Sequence, residues 1–156
     1  MSTDSTIDEQ GPVATASFVA EVEVAATLVR ISNRMRTTLD DALACHRLSW
    51  AGYEVLEGVC CRAPVSYRSL SVGLDRHRTS ITSIVAGLVA SGLVTRRLGG
   101  SRSDEYVVEP TRSGLRTFRN AQRTLLEVGE KLVPLGDPTA ILIELTRLEE
   151  AMRKVR

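Results

Sequence analysis

The sequence predicts a mainly α-helical protein with one small β-hairpin: a winged helix-turn-helix flanked by long dimerisation helices. Three observations carry this. Helical apolar spacing runs through residues 18–45 and returns after Thr111. Between them, Ile81, Ile84, Val85, Leu88 and Val89 sit at i, i+3, i+4, i+7 and i+8, a buried stripe on a short helix. One strand pair follows, residues 93–98 and 106–109, joined by a loop led by Gly99 and Gly100.

Taken in order, residues 1–17 are acidic and polar and read as a disordered leader. From Phe18 to about Cys45 there is no Gly or Pro. Leu28, Ile31, Met35, Leu39 and Ala42 keep one helical face, with Val22, Ala25 and Val29 as a second stripe. Ser49 is a good N-cap for a second helix, with Gly52, Val55, Leu56, Val59 and Cys60 inward. That helix stops before Pro64. Ser66 caps a short helix with Tyr67, Leu70 and Leu74 inward. The helix over 79–91 ends at Gly92, which suits a left-handed stop. Thr111 caps the next helix, whose inner face is Leu115, Phe118, Gln122, Leu125, Gly129 and Leu132. Pro134 and Gly136 break the chain. Asp137 as N-cap, with Pro138 at the first helical position, starts the last helix. Its stripe is Ile141, Leu145, Leu148, Met152 and Val155.

The first and last helices carry more apolar stripe than one small domain needs, so pairing with a second copy is expected. The predicted organisation is a leader over 1–17, an N-terminal dimerisation helix over 18–47, a winged lobe over 48–110, and C-terminal dimerisation helices over 111–156.

A chain of 156 residues with 43% hydrophobic content can build one such core. No run reaches the roughly 18 apolar residues of a membrane span. The acidic start lacks the basic stretch of a signal peptide, so a cytoplasmic location is expected. Net charge is only +1, yet residues 62–123 hold eleven arginines against four acids, a net of +7. A basic middle of this kind suits a polyanion-binding surface; a solvated arginine-rich surface is the plainer reading. The outer face of the 79–91 helix favours the first. Thr79, Thr82, Ser83, Ala86 and Ala90 are small and uncharged, where solvated faces carry Lys and Glu. Arg76, His77 and Arg78 stand at its leading end. Short polar residues behind leading arginines suit a helix entering a major groove of double-stranded DNA. The candidate DNA contacts are therefore Arg76, His77, Arg78, Thr79, Ser80, Thr82 and Ser83, with Arg96 and Arg102 from the wing. The alternative use of the same face is docking of a protein partner.

Cys45, Cys60 and Cys61 are an odd set, and their spacing matches no standard zinc signature. Cys60 falls on an inner stripe and reads as a small buried hydrophobe. Cys61, beside Arg62, is the better candidate for a cysteine- or metal-responsive sensor. His46 reads as a cap or packing residue. No catalytic arrangement of Ser, His and Asp, no paired carboxylates and no phosphate-cradling loop occur, so neither an enzyme nor a cofactor nor a metal site is expected.

LSWAGYEVL, SLSVGL, ITSIVAGLVASGLVTR, the wing and TRSG, in this order, resemble the MarR family of bacterial winged-helix regulators. The match covers about residues 22–133 and is strongest over 48–114. It departs in the wing. Counting back from Thr111, the family's Asp-x-Arg is replaced by Arg102 and Asp104, with the charges exchanged. The resemblance implies a homodimeric regulator, more often a repressor, on a near-palindromic operator. It makes Arg102 a minor-groove or phosphate probe; a local ion pair with Asp104 or Glu105 is its other reading. It also implies a small aromatic or phenolic effector bound where the dimer helices meet the reading lobe. Trp50, Tyr53, Arg34 and His46 are conceivable lining residues there.

Overall fold

The computed structural model describes residues 12–99, 106–132 and 137–154. The element order is α1 (Pro12–Leu43), a 3-10 turn (Ala44–His46), α2 (Trp50–Arg62), β1 (Val65–Ser66), α3 (Tyr67–Gly73), α4 (Arg78–Ala90), β2 (Val94–Leu98), β3 (Tyr106–Pro110), α5 (Arg112–Leu132) and α6 (Pro138–Lys154). The chain divides into two compact units between Thr38 and Leu39.

The first unit holds most of α1. The helix starts at Pro12, upstream of the expected Phe18, so part of the expected leader is helical. Proline suits that first position because its missing N–H would have had no intrahelical partner. Arg30 pairs with Glu23 at 2.7 Å and also donates to Thr27. Val22, Val24, Val29, Ile31 and Met35 remain exposed.

The second unit is built around α2. Val55, Leu56 and Val59 are fully buried, and α2 contacts α3, α4, α5, β1 and β3. Its start is fixed by the Ser49 hydroxyl, which accepts from the Gly52 N–H at 3.1 Å. Ser66 caps α3 in the same way, through Ser69 N–H. Ile81, Val85 and Leu88 of α4 are buried, with Ile84 and Val89 packed at the edge. Gly92 ends α4 with φ 68°, in the left-handed region where glycine avoids a Cβ clash.

The sheet has three strands in the order β1-β3-β2, all antiparallel. The hairpin pairs Arg96 with Val108 and Leu98 with Tyr106. The third strand, β1, was not expected from the sequence. It is two residues long, too short to show an alternating pattern, and forms because β3 offers its free edge to Val65 and Ser66.

The hairpin is tied to α5 at one crowded point. Thr111 N–H donates to Leu93 O at 3.0 Å. The Thr111 hydroxyl donates to Gly92 O at 2.8 Å and accepts from Gly114 N–H at 2.9 Å. A Cβ on Gly114 would lie 2.0 Å from Leu93 O. In α5 the buried positions are Gly114, Phe118 and Ala121, whereas Gln122 is exposed, against expectation. A small alanine fills the place where the helix packs tightly, and that is invisible to a search for large apolar residues. Asp137 caps α6 through the Thr139 N–H at 2.9 Å. The α6 stripe is open to solvent in the single chain, from 37% at Ile141 to 66% at Met152. Val155, the last expected stripe residue, lies outside the described residues.

Gly114→Ala should destabilise the protein by about 1–3 kcal/mol, because a backbone carbonyl stands where the methyl must go. Gly87→Ala on α4 has nothing within 4 Å of the new methyl and should stabilise by about 0.5–1 kcal/mol. Urea unfolding midpoints that move in opposite directions for the two variants are the expected result.

Candidate functional site

The apolar stripe of α4 faces the core, so its opposite side is turned to water. Arg78, Thr79, Ser80, Thr82, Ser83 and Ala86 are all exposed. The structure thus gathers six of the expected contact positions, His77 included, at the start and along one side of a single helix. His77 is the N-cap and makes no side-chain cap bond, and the first turn carries no acidic residue. That end of the helix therefore favours an anion by its dipole. The Thr82 hydroxyl donates back to Arg78 O at 2.9 Å, which leaves its lone pairs to accept from outside.

Arg76 departs from expectation. Its guanidinium donates to Glu54 on α2 and is half-buried instead of reaching out beside Arg78. The cause is geometric: the turn before α4 directs Arg76 back onto α2.

On the hairpin, Arg96 and Arg97 point to opposite faces, as successive strand residues must. Arg96 is exposed and lies over the Tyr106 ring, 5.4 Å from its centroid. Arg97 is held by Glu109 through two nitrogens, at 3.0 and 2.7 Å. The Glu109 hydrogen bond, and then its charge, raises the Arg97 pKa further. Arg102 and Asp104, the exchanged wing pair, lie outside the described residues. The basic segment is therefore not one continuous patch: Arg76 and Arg97 face acids, while Arg119 and Arg123 line a cleft elsewhere.

That cleft has a volume of about 750 Å³ and lies between α2, α5 and α6. Tyr53, Arg119, Gln122, Arg123, Leu125 and Leu126 form much of its wall. Of the four conceivable lining residues, Tyr53 is on the wall. Its ring stacks between Trp50 and Phe118, at 5.6 and 5.8 Å. Its hydroxyl donates to Glu57 at 3.2 Å. Burial first, and Glu57 second, push its pKa up to about 12, so it stays a neutral donor. His46 hydrogen-bonds Thr124 of α5 at 2.9 Å.

The three cysteines are free. Cys60 packs against the core, and burial, then the neighbouring Cys61, pushes its thiol up to about 11; Arg119 opposes this. Cys45 and Cys61 are exposed. Among the described residues no group of three or more His, Cys, Asp or Glu is placed to hold a metal ion.

Sequence reasoning missed Glu54, Tyr106 and Glu109 as partners of the three arginines. Glu54 had no signal, whereas Arg97 with Glu109 and Arg96 with Tyr106 are both diagonal neighbours across the hairpin, readable only once its register is known.

No family model matches the sequence, and no curated protein matches it either. Solved structures do match. A MarR-family transcriptional regulator from Rhodococcus sp. RHA1 is similar at TM-score 0.74 and 20% identity, over 84% of this chain and 93% of that one. MOSR from M. tuberculosis, solved in complex with DNA, is similar at TM-score 0.74 and 19% identity, over 85% and 97%. CouR from Rhodococcus jostii RHA1, bound to p-coumaroyl-CoA, is similar at TM-score 0.72 and 21% identity, over 83% and 90%. The chain has the MarR-like winged-helix fold.

Thiol alkylation of the native protein at pH 8 should separate the cysteines. A pKa near 11 keeps Cys60 almost wholly protonated there, and the thiolate is the nucleophile. Cys45 and Cys61 should label at least about tenfold faster than Cys60 by peptide mass spectrometry. Equal rates would mean that Cys60 is more open than its packing indicates.

Proposed function

We propose that this MarR-like winged-helix chain is a homodimeric, sequence-specific DNA-binding transcription regulator, a repressor released by a small effector. It is a cytoplasmic binding protein and not an enzyme. The observation that carries this reading is the outer face of α4. It is exposed, small and uncharged along its length, and basic only at its start. A face without long side chains can enter a major groove to the depth of the base edges, where hydroxyls serve several of them. Arg78 and the helix N-terminus then meet phosphate or guanine, and the wing lies alongside with Arg96 and Arg102. The likeness to MOSR, which was solved with DNA, supports the same use of the fold.

Residues 48–110 form the reading lobe. Residues 18–47 and 111–156 form the dimer, with residues 1–17 outside it. The exposed stripes of α1 and α6 support this, since each is covered when a second copy docks. Two-fold symmetry then requires half-sites about one helical turn, roughly 10 bp, apart. The cleft holds the effector. Arg119 and Arg123 supply charge for an anion, Tyr53 a hydroxyl, and Leu125 and Leu126 an apolar wall, a set that suits a small aromatic or phenolic acid.

The test begins with duplexes selected from random DNA. Affinity should fall with salt as counterions are released. Ser83→Ala or Arg78→Ala should cost about 1–3 kcal/mol on the selected site or change the preferred half-site. Equal loss on selected and random DNA would reduce both to backbone contacts. Arg102→Ala should lower the salt slope by about one per lost phosphate contact. Absence of any salt-dependent binding would favour α4 as a protein-docking surface.

The dimer is tested separately. Leu145→Asp or Leu148→Asp places a charge in an apolar interface and should leave the protein monomeric at micromolar concentration in sedimentation. A variant that stays dimeric would remove α6 from the interface.

A further inference from the structure

The turn between α3 and α4 is held at three points on a single residue. Arg76 N–H donates to Ser71 O at 3.0 Å. Arg76 O accepts from the Ser71 hydroxyl at 2.6 Å. The Arg76 guanidinium donates to Glu54 on α2 at 2.5 Å. The two charged side chains are only 33% and 24% exposed, whereas Arg97 and Glu109 on the hairpin are 54% and 34% exposed. Asp75, immediately before, takes φ 45° to turn the chain sharply. The start of α4 is thus fastened to α3 through the backbone and to α2 through a charge pair.

Apolar packing alone leaves the helix underdetermined. Ile81, Val85 and Leu88 hold α4 on the core, but hydrophobic burial is non-directional and tolerates small rotations about the helix axis. A charge-assisted hydrogen bond is directional. Placed at the residue before the N-cap, it fixes where the first turn points.

We propose that Arg76 and Glu54 are positioning residues: their ion pair fixes the start of α4 against α2 and so sets how Arg78, Thr79, Thr82 and Ser83 meet DNA, while Arg76 itself touches no DNA. This rests on the DNA-reading function proposed above, but the lock is also visible without DNA.

The experiment uses the full chain as Arg76→Gln, as Glu54→Gln, and as the exchanged double variant Arg76→Glu with Glu54→Arg. Each is titrated on the selected duplex and on random duplex at several salt concentrations. Both single variants should lose about fivefold on the selected duplex and little on random DNA, with the salt slope unchanged. The exchanged pair should recover most of the loss. A phosphate-contacting Arg76 gives another pattern. Arg76→Gln would then weaken random binding and lower the slope by about one, and Glu54→Gln would bind as well or better by freeing a cation. That pattern overturns the proposal. In the free protein, amide hydrogen exchange over residues 77–81 should quicken in both single variants and slow again in the exchanged pair. Exchange unchanged in the single variants overturns the lock whatever the DNA result. A wild-type chain that binds no duplex overturns the functional reading, and the exchange rates then decide the lock alone. If a glutamine variant does not fold, Arg76→Lys is read by the same two measurements.

Discussion

Helix α2 is buried on both of its long faces, and the second unit is arranged by that requirement. Val55, Leu56 and Val59 have no exposed surface, so α4 must cover one side and α5 another. Burying a side chain of this size is worth about 1.5–3 kcal/mol, and the three together outweigh any single surface interaction in the lobe. Gly58 extends the constraint to α3. A Cβ there would stand 3.0 Å from Leu70 Cδ2, so the glycine lets a fully packed leucine sit against the helix backbone. Once α4 has turned Ile81, Val85 and Leu88 inward, its small polar side has only one direction left to face. The exposure of Thr79 and Ser83 is a consequence of the core.

The arginines sort by what stands beside them. Arg76 and Arg97 are each given a carboxylate, and each joins two elements or strands. Arg96 is given the face of Tyr106, which steadies a guanidinium without neutralising it. A residue of this kind can stay put and still offer its charge outward. The difference matters because the segment's net charge of +7 overstates what a polyanion meets.

Local signals were legible in the sequence and distant ones were not. Ser49, Ser66, Thr111 and Asp137 were readable as caps because a cap bonds an N–H two or three residues away, within the same few letters. Gly92 was readable because its conformation excludes most other residues. The stripe of α4 was readable because period and burial coincide over a short helix. The pairing of Arg76 was not legible because its partner, Glu54, lies 22 positions away on another helix, and a cluster of basic residues looks the same with or without a carboxylate beside it. Ala121 was passed over for Gln122 because close helix packing rewards small size, not hydrophobic bulk. The wing tip was legible as an exchange of charges between Arg102 and Asp104, which lie outside the described residues.

The same helix that organises the core also carries two neighbouring residues with different obligations. Tyr53 lines the cleft and stacks between Trp50 and Phe118, while Glu54, the next residue, holds Arg76 at the start of α4. Close-packed interiors transmit strain, so on the proposed function an occupant that displaced Tyr53 would strain the adjoining Glu54 on the same helix. On the proposed function, the effector and DNA then act on one another through α2 without any direct contact. The size of that coupling is bounded by how differently the occupant binds the two positions of α2, and it is reciprocal: DNA that favours one position weakens the occupant by the same factor. A cleft ligand that fits both positions equally well would bind and regulate nothing.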